Sequence, residues 1–303
     1  MNERTNALLF TRLLSGLQLA AEICSAVTTG VALKSRTYTF RPNDIRLGEY
    51  TSDPGTAGSI TLLLQLALPC LLFASPANVY RDVGAPPISR LILKGGSNTT
   101  NAPQTDYVQY VLFPFLVRHF KLSSEHLTAK TIRRGFWPKG GGTFHVTVPA
   151  LAAGHTLPPI DLTERGQILG VKGVAFSANA SSRSIAEMQQ GALSTLHAAT
   201  STINLAHDQI DIQADPLPLQ RSLDKSGYGI VLWAETSAGC ILGGSAISQR
   251  GKSAFVAGAE AAEELLRNIS HGGCVDEHLQ VRFLWHYRGF QAMPKLFIIR
   301  TRL

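Results

Sequence analysis

Apolar residues recur at helical spacing along much of this chain. Leu17, Leu19, Ala20 and Ile23 share one face of a helix predicted over Gly16–Ala26. Tyr107, Val108, Val111, Leu112, Phe115 and Leu116 do the same in a helix opened by 101–105 and running to about Phe120. Pro114 lies inside that run, where it removes a backbone donor and should kink or shift the helix. The stretch Ile60–Ala74 is the most apolar of the chain, and it contains Gln65 and Pro69. A bilayer span needs roughly 20 mostly apolar residues; this stretch has 15 and reads as a buried core helix. Thr56-Ala57-Gly58-Ser59 stands at its start, with Ser59 as N-cap or, on a second reading, the free amides as an anion site.

Alternating apolar and polar residues predict strands at Arg36–Arg41 (stopped by Pro42), Ser89–Lys94, Thr143–Val148, Gln167–Phe176, Gln209–Ile212, Gly227–Glu235 and Cys240–Ser245. Gly48–Gly58 reads as a turn-rich loop. Two further helices are expected. Ser184–Thr200 would start in a capping box of Ser184 and Glu187, and Lys252–Ser270 would stop at His271-Gly272-Gly273. Helices and strands so ordered predict an α/β protein of α+β type.

Composition narrows the class. The chain has 303 residues, 45% of them hydrophobic and 16% charged, enough for about two folded domains. No leader or membrane signal is read in it, so nucleus or cytoplasm is the expected location. Cys24, Cys70, Cys240 and Cys274 are far apart in sequence, against a zinc ribbon or disulfide framework. Net charge is +7, but Arg282, Arg288, Lys295, Arg300 and Arg302 crowd into the last 23 residues; without them it falls to +2. Only local clusters of cations therefore bear on nucleic-acid binding.

The clearest such cluster is Arg134-Gly135-Phe136-Trp137-Pro138-Lys139-Gly140-Gly141-Gly142. Three glycines in a row suit a backbone that must turn or approach a neighbour closely. The two cations make Arg134 and Lys139 candidate phosphate or RNA contacts, or else charged residues of a solvated loop. No Gly-Lys-Ser/Thr closes the motif, so it is not a P-loop.

Seven stretches together resemble one family: Ser15–Cys24, Thr56–Gln65, Ala102–Tyr107, Arg134–Gly142, Leu162–Gly166, Ala234–Cys240 and Gly272–Gln280. In this order they resemble the RNA 3'-terminal phosphate cyclases, and the cyclase branch more than the ribosome-biogenesis branch. The resemblance implies repeated βαβαββ units in a large domain (1–163 and 257–280), akin to the C-terminal domain of a bacterial translation initiation factor. It also implies a smaller inserted α/β domain (164–256) and a non-matching tail (281–303). The implied reaction is ATP-dependent. A histidine takes AMP, AMP passes to an RNA 3'-phosphate, and the 2'-hydroxyl displaces it to give a 2',3'-cyclic phosphate. ATP, a divalent cation (Mg2+ or Mn2+) and RNA with a 3'-phosphate are the implied cofactors and partner.

Carried over by position, Gln65, Pro103 and His278 are the implied ATP-binding residues, with His278 standing where the family has tyrosine. Gln65, on an apolar helix, is expected to need a polar partner. The family's N-terminal Gly-rich strand and its AMP-accepting histidine motif find no match, so no catalytic residue is assigned and both ends look shortened. Impaired activity follows as the expectation. A non-catalytic RNA-processing or ribosome-biogenesis protein of the same fold is the alternative.

Overall fold

The computed structural model describes residues 14–32, 35, 37–74, 87–152, 155–179, 182–215, 227–280 and 300–301. They form two compact units. The first comprises 1–105 and 122–157, the second 106–121 and 158–303. This division differs from the expected boundaries at 163 and 257: the helix of 257–270 packs with the elements of 164–256, and the helix of 106–121 joins the same unit.

The first unit is built on β3 (Glu49–Ser52), α2 (Ile60–Leu72), β4 (Ile88–Gly95), β5 (Thr128–Arg133) and β6 (Gly142–Pro149). Strand order is β3-β4-β6-β5, with β3 parallel to β4 and the other pairs antiparallel. Read along the chain, with the helical segment at 105–120 between β4 and β5, this is one βαβαββ unit. Leu91, Leu93, Phe144, Val146 and Val148 are buried with Leu64, Ala67, Leu68 and Leu71 of α2. Ahead of the sheet, α1 (residues 14–23) buries Leu19 and Ile23 on the predicted face and sets Gly16 against Leu63 and Leu66. A two-stranded pair, β1 (Val27–Thr29) and β2 (Thr39–Arg41), follows; the Arg36 end of the expected strand lies outside the described residues. Gly48–Gly58 is not all loop. Glu49–Ser52 becomes β3 because Tyr50 and Ser52 can be buried beside β4, a partner some 40 residues away.

In the second unit β8 (Ile168–Ala178), β9 (Ile210–Ala214), β10 (Gly227–Thr236) and β11 (Ile241–Ile247) form a sheet of order β11-β10-β8-β9. β8 and β9 are parallel, joined by α5 (Ser182–Ala198) and α6 (Thr200–Ile203). α5 packs on α7 (Ala254–Ser270), and their shared core holds Met188, Ala192, Leu196, Ala257, Ala261 and Leu265. The expected capping box at Ser184 is not formed, because the helix already begins at Ser182. A short parallel pair links β7 (Asp161–Leu162) to β12 (Arg300–Thr301).

The helix expected over 105–120 comes in three pieces: α3 (Thr105–Tyr107), a π turn (Val108–Leu112) and α4 (Phe113–Phe120). Phe113 N–H donates to Val108 C=O, five residues back. Pro114 has no N–H to give, and the wider turn ahead of it takes up the mismatch without breaking the helix. Neighbouring glycines let β11 meet helices on both faces. A Cβ at Gly243 would lie 2.6 Å from the Tyr107 ring, and one at Gly244 would lie 2.5 Å from the Leu265 nitrogen of α7.

Candidate functional site

Two of the motif stretches meet the 95–98 turn at one end of the first unit's sheet. Gly96 N–H donates to Gly58 C=O at 2.7 Å, and Ile60 N–H donates to Gly96 C=O at 3.0 Å. Ser97 and Asn98 N–H both donate to Gly135 C=O, while Gly135 N–H returns a bond to Ser97 Oγ at 2.9 Å. The Thr56–Ser59 turn, the 95–98 turn and the Arg134–Gly142 loop are thus tied backbone to backbone. Beneath them runs a buried polar chain. Ser97 Oγ donates to Asn98 Oδ1 at 2.5 Å, and Asn98 Nδ2 donates to Gln104 Oε1 at 2.9 Å. All three side chains are at most 2% exposed. Buried amides bonded in series hold the turns in one arrangement, since each lost bond would leave a polar group dry.

Gly135 is the crowded point. An added Cβ would sit 2.2 Å from Gly142 N and 2.4 Å from Gly95 O, both backbone atoms that cannot swing aside. Gly135→Ala is expected to destabilise the first unit by about 2 kcal/mol, read as a lower denaturation midpoint with unchanged slope. An unchanged midpoint would mean the loop is not packed as described.

Within this frame the predicted residues take different places. Arg134 is only 6% exposed, so it is an internal cation at the loop's base and not a solvated one. Lys139 is exposed near the tip. Pro103 C=O accepts a bond from Thr61 Oγ1 at 2.8 Å, tying the segment before α3 to the first turn of α2. Gln65 lies one helical turn beyond Thr61 on the same side of α2. It is half-buried, and its amide makes no side-chain hydrogen bond among the described residues, where the expected partner is therefore not found. Ser59 occupies the N-cap position, but its hydroxyl bonds Thr61 Oγ1 and caps no backbone N–H.

His278 belongs to the second unit, as does a polar cluster that sequence reasoning missed. Asp276, 1% exposed, accepts from Tyr107 Oη at 2.6 and 2.8 Å, from Gly243 N–H at 2.7 Å and from Leu279 N–H at 2.9 Å. Burial pushes its carboxyl above the ordinary range, and these donors pull the other way. The His278 ring meets Tyr107 edge-on at 5.4 Å. Its Nε2 lies 3.8 Å from Glu264 Oε1 on α7. Burial, then the charge of Glu277, push the Glu264 carboxyl up to about 7. Glu264, Glu277 and His278 form the group among the described residues that could hold a metal ion, with donor atoms within 4.8 Å of one another. Asp276 sits inside a quoted motif; its burial was invisible because Tyr107 is 169 residues away.

The cysteines, far apart in sequence, meet as free thiols: Cys24 with Cys70, and Cys240 with Cys274. Burial pushes Cys70 up to about 12 and Cys274 up to about 11, which makes them poor nucleophiles. His119, wedged against Phe115 and bonded to Gly239 C=O, is a packing residue. His286 lies outside the described residues. No described helix is long and apolar enough to cross a membrane.

Comparison with known proteins agrees with the motifs. A family model described as RNA 3'-terminal phosphate cyclase matches residues 3–287, starting before Ser15 and running past Gln280, where the motif match ends. A protein named RNA 3'-terminal phosphate cyclase from Caldivirga maquilingensis is 33% identical over 276 residues, covering 91% of this chain and 72% of the relative. One of the same name from Drosophila melanogaster is 35% identical over 271 residues, covering 88% and 68%. A third, from Ignicoccus hospitalis, is 34% identical over 260 residues, covering 86% and 67%. With the motif loops joined at one sheet end and the match running through both units, the chain belongs to the RNA 3'-terminal phosphate cyclase family.

Proposed function

We propose that this chain recognises ATP and RNA ends that carry a 3'-phosphate, within the cyclase reaction of its family. The observation that supports this most directly is the join of the Thr56–Ser59, 95–98 and Arg134–Gly142 turns over the buried Ser97–Asn98–Gln104 chain. Such a frame presents fixed backbone and one internal cation, Arg134, as a phosphate site requires.

The residues at hand suit a nucleotide. The half-buried Gln65 amide, which has no hydrogen-bond partner among the described residues, suits a ligand, and Pro103 is tied to Thr61, one helical turn before Gln65. His278 keeps an aromatic face where the family has tyrosine but offers imidazole nitrogens in place of the hydroxyl. Of the two expected divalent cations, Mn2+ suits the mixed carboxylate and imidazole donors of Glu264, Glu277 and His278 better than Mg2+, which takes oxygen ligands. ATP, when bound, supplies AMP as a good leaving group; the chain's own part is to hold the phosphate end and orient it for the neighbouring 2'-hydroxyl.

None of the nine histidines stands in the family's AMP-accepting motif. The 303-residue polypeptide is therefore expected to take up no covalent label from ATP labelled at the α-phosphate, while binding RNA with a 3'-phosphate over RNA with a 3'-hydroxyl. Label that survives denaturation would overturn the first half and make the chain an enzyme in its own right. Equal binding of the two RNAs would favour a non-catalytic scaffold role, as in the ribosome-biogenesis branch. A nuclear or cytoplasmic place in RNA processing belongs to the same reading.

A further inference from the structure

Trp137 is 69% exposed, more than any other large hydrophobic among the described residues. It does not stand on a loose tip. Phe136, just before it, is buried and pairs with Asn98 on one side and Gly140 on the other. Gly140 N–H donates to Phe136 C=O at 2.8 Å and closes the turn. A Cβ on Gly140 would come within 2.8 Å of Thr56 and Ala57 backbone atoms, so this turn rests directly on its neighbour. The indole is held out by a closed, anchored turn whose inward position Phe136 already fills.

Cations lie on the same turn and at the same end of the sheet. Lys139 is exposed on the same turn, and Arg134 sits at its base. Lys94 of β4 and Arg133 of β5 flank Thr143 from either side at the same end of the sheet. One acid, Asp53, lies 3.9 Å from Lys94. An aromatic face beside a strip of positive charge is the arrangement that binds single-stranded nucleic acid, bases by stacking and backbone by charge.

We infer that Trp137 is a stacking platform for a base of the RNA strand close to its 3' end, with Lys139 meeting a neighbouring phosphate. This rests on the reading that the chain binds RNA ends. A nucleobase could also come from ATP, and the two sources are separable. The turn is within the first unit's phosphate-presenting frame, and its charge suits a strand with several phosphates.

The test measures binding of a short fluorescent single-stranded RNA with a 3'-phosphate to the full chain by anisotropy, at several salt concentrations. ATP binding is followed separately by thermal shift. Trp137→Ala is expected to weaken RNA about tenfold with the salt dependence and the ATP shift unchanged, and Trp137→Phe to keep most of the affinity. Lys139→Ala is expected to flatten the salt dependence by about one unit of slope. Because the indole is exposed, both Trp137 variants should melt like the parent, so lost binding is not lost folding. Full RNA affinity in Trp137→Ala would overturn the inference and leave the functional reading standing. Loss of the ATP shift with RNA binding intact would overturn it in favour of adenine. If the parent chain itself binds no RNA, the functional reading fails, and the inference with it.

Discussion

Asp276→Ala is expected to destabilise the second unit by about 4 kcal/mol, since it leaves three buried donors unsatisfied at about 1–3 kcal/mol each. Three donors converge on this carboxylate: the Tyr107 hydroxyl and the N–H groups of Gly243 and Leu279. They come from the end of α3, from β11 and from the helical turn beginning at residue 277, so the carboxyl joins three parts of the unit. Alanine leaves all three donors dry. Asparagine keeps the shape but turns an amide N–H toward at least one donor, so Asp276→Asn should recover little. Tyr107→Phe removes one donor and leaves two in place, at a cost of about 2 kcal/mol. Chemical denaturation followed through Trp233, stacked on Tyr110 in the same unit, reads each change. An Asp276→Ala variant as stable as the parent would mean that these bonds are made to water and not within the fold.

The second unit should also lose stability as pH rises from about 4.5 to about 7, by roughly 3 kcal/mol at most. Glu264 is the cause. Its folded carboxyl is pushed up to about 7, first by burial and then by Glu277, with Asp276 adding a little. The Ser245 N–H and Arg267 oppose the rise, and His278 lies 3.8 Å away. Between the unfolded and folded values the native state holds the proton more tightly than the unfolded chain. Its contribution is therefore complete below about 4.5 and lost by the time pH passes about 7. Glu264→Gln should flatten the profile and gain stability on the alkaline side. Added salt should shrink the exposed Glu277 part and leave the burial part. A parent profile that rises with pH across this window would show Glu264 ionised and compensated.

Much of the architecture was legible in local pattern. Helix α2, the apolar face of 105–120, the strands around Ser89–Lys94 and Thr143–Val148, and the glycine stop after α7 all follow from spacing of 2 or 3.6 residues. The βαβαββ order of elements from β3 to β6 along the chain and the family itself were likewise readable, because seven motifs keep their order. The misses have a common cause. Glu49–Ser52 is four residues long, too short to show alternation, and is a strand only because β4 lies beside it. Thr128–Arg133 needs β6 in the same way. At Pro114 the sequence announced a disturbance, and the packing chose a widened turn over a kink.

The site divides on the same line. Local sequence picked out candidates for chemistry: the cations and glycines of Arg134–Gly142, Gln65 on an apolar helix, and His278. Tertiary structure alone decided what each can do. It buried Arg134 while exposing Trp137 three residues later, left Gln65 without a side-chain partner among the described residues, and brought distant cysteines together as thiols. It also placed Asp276 against Tyr107, 169 residues away. Periodicity is a property of near neighbours in the chain, and it sets local conformation. Burial, hydrogen-bond partners and the ionisation that depends on them are properties of neighbours in space, and only the folded chain supplies those.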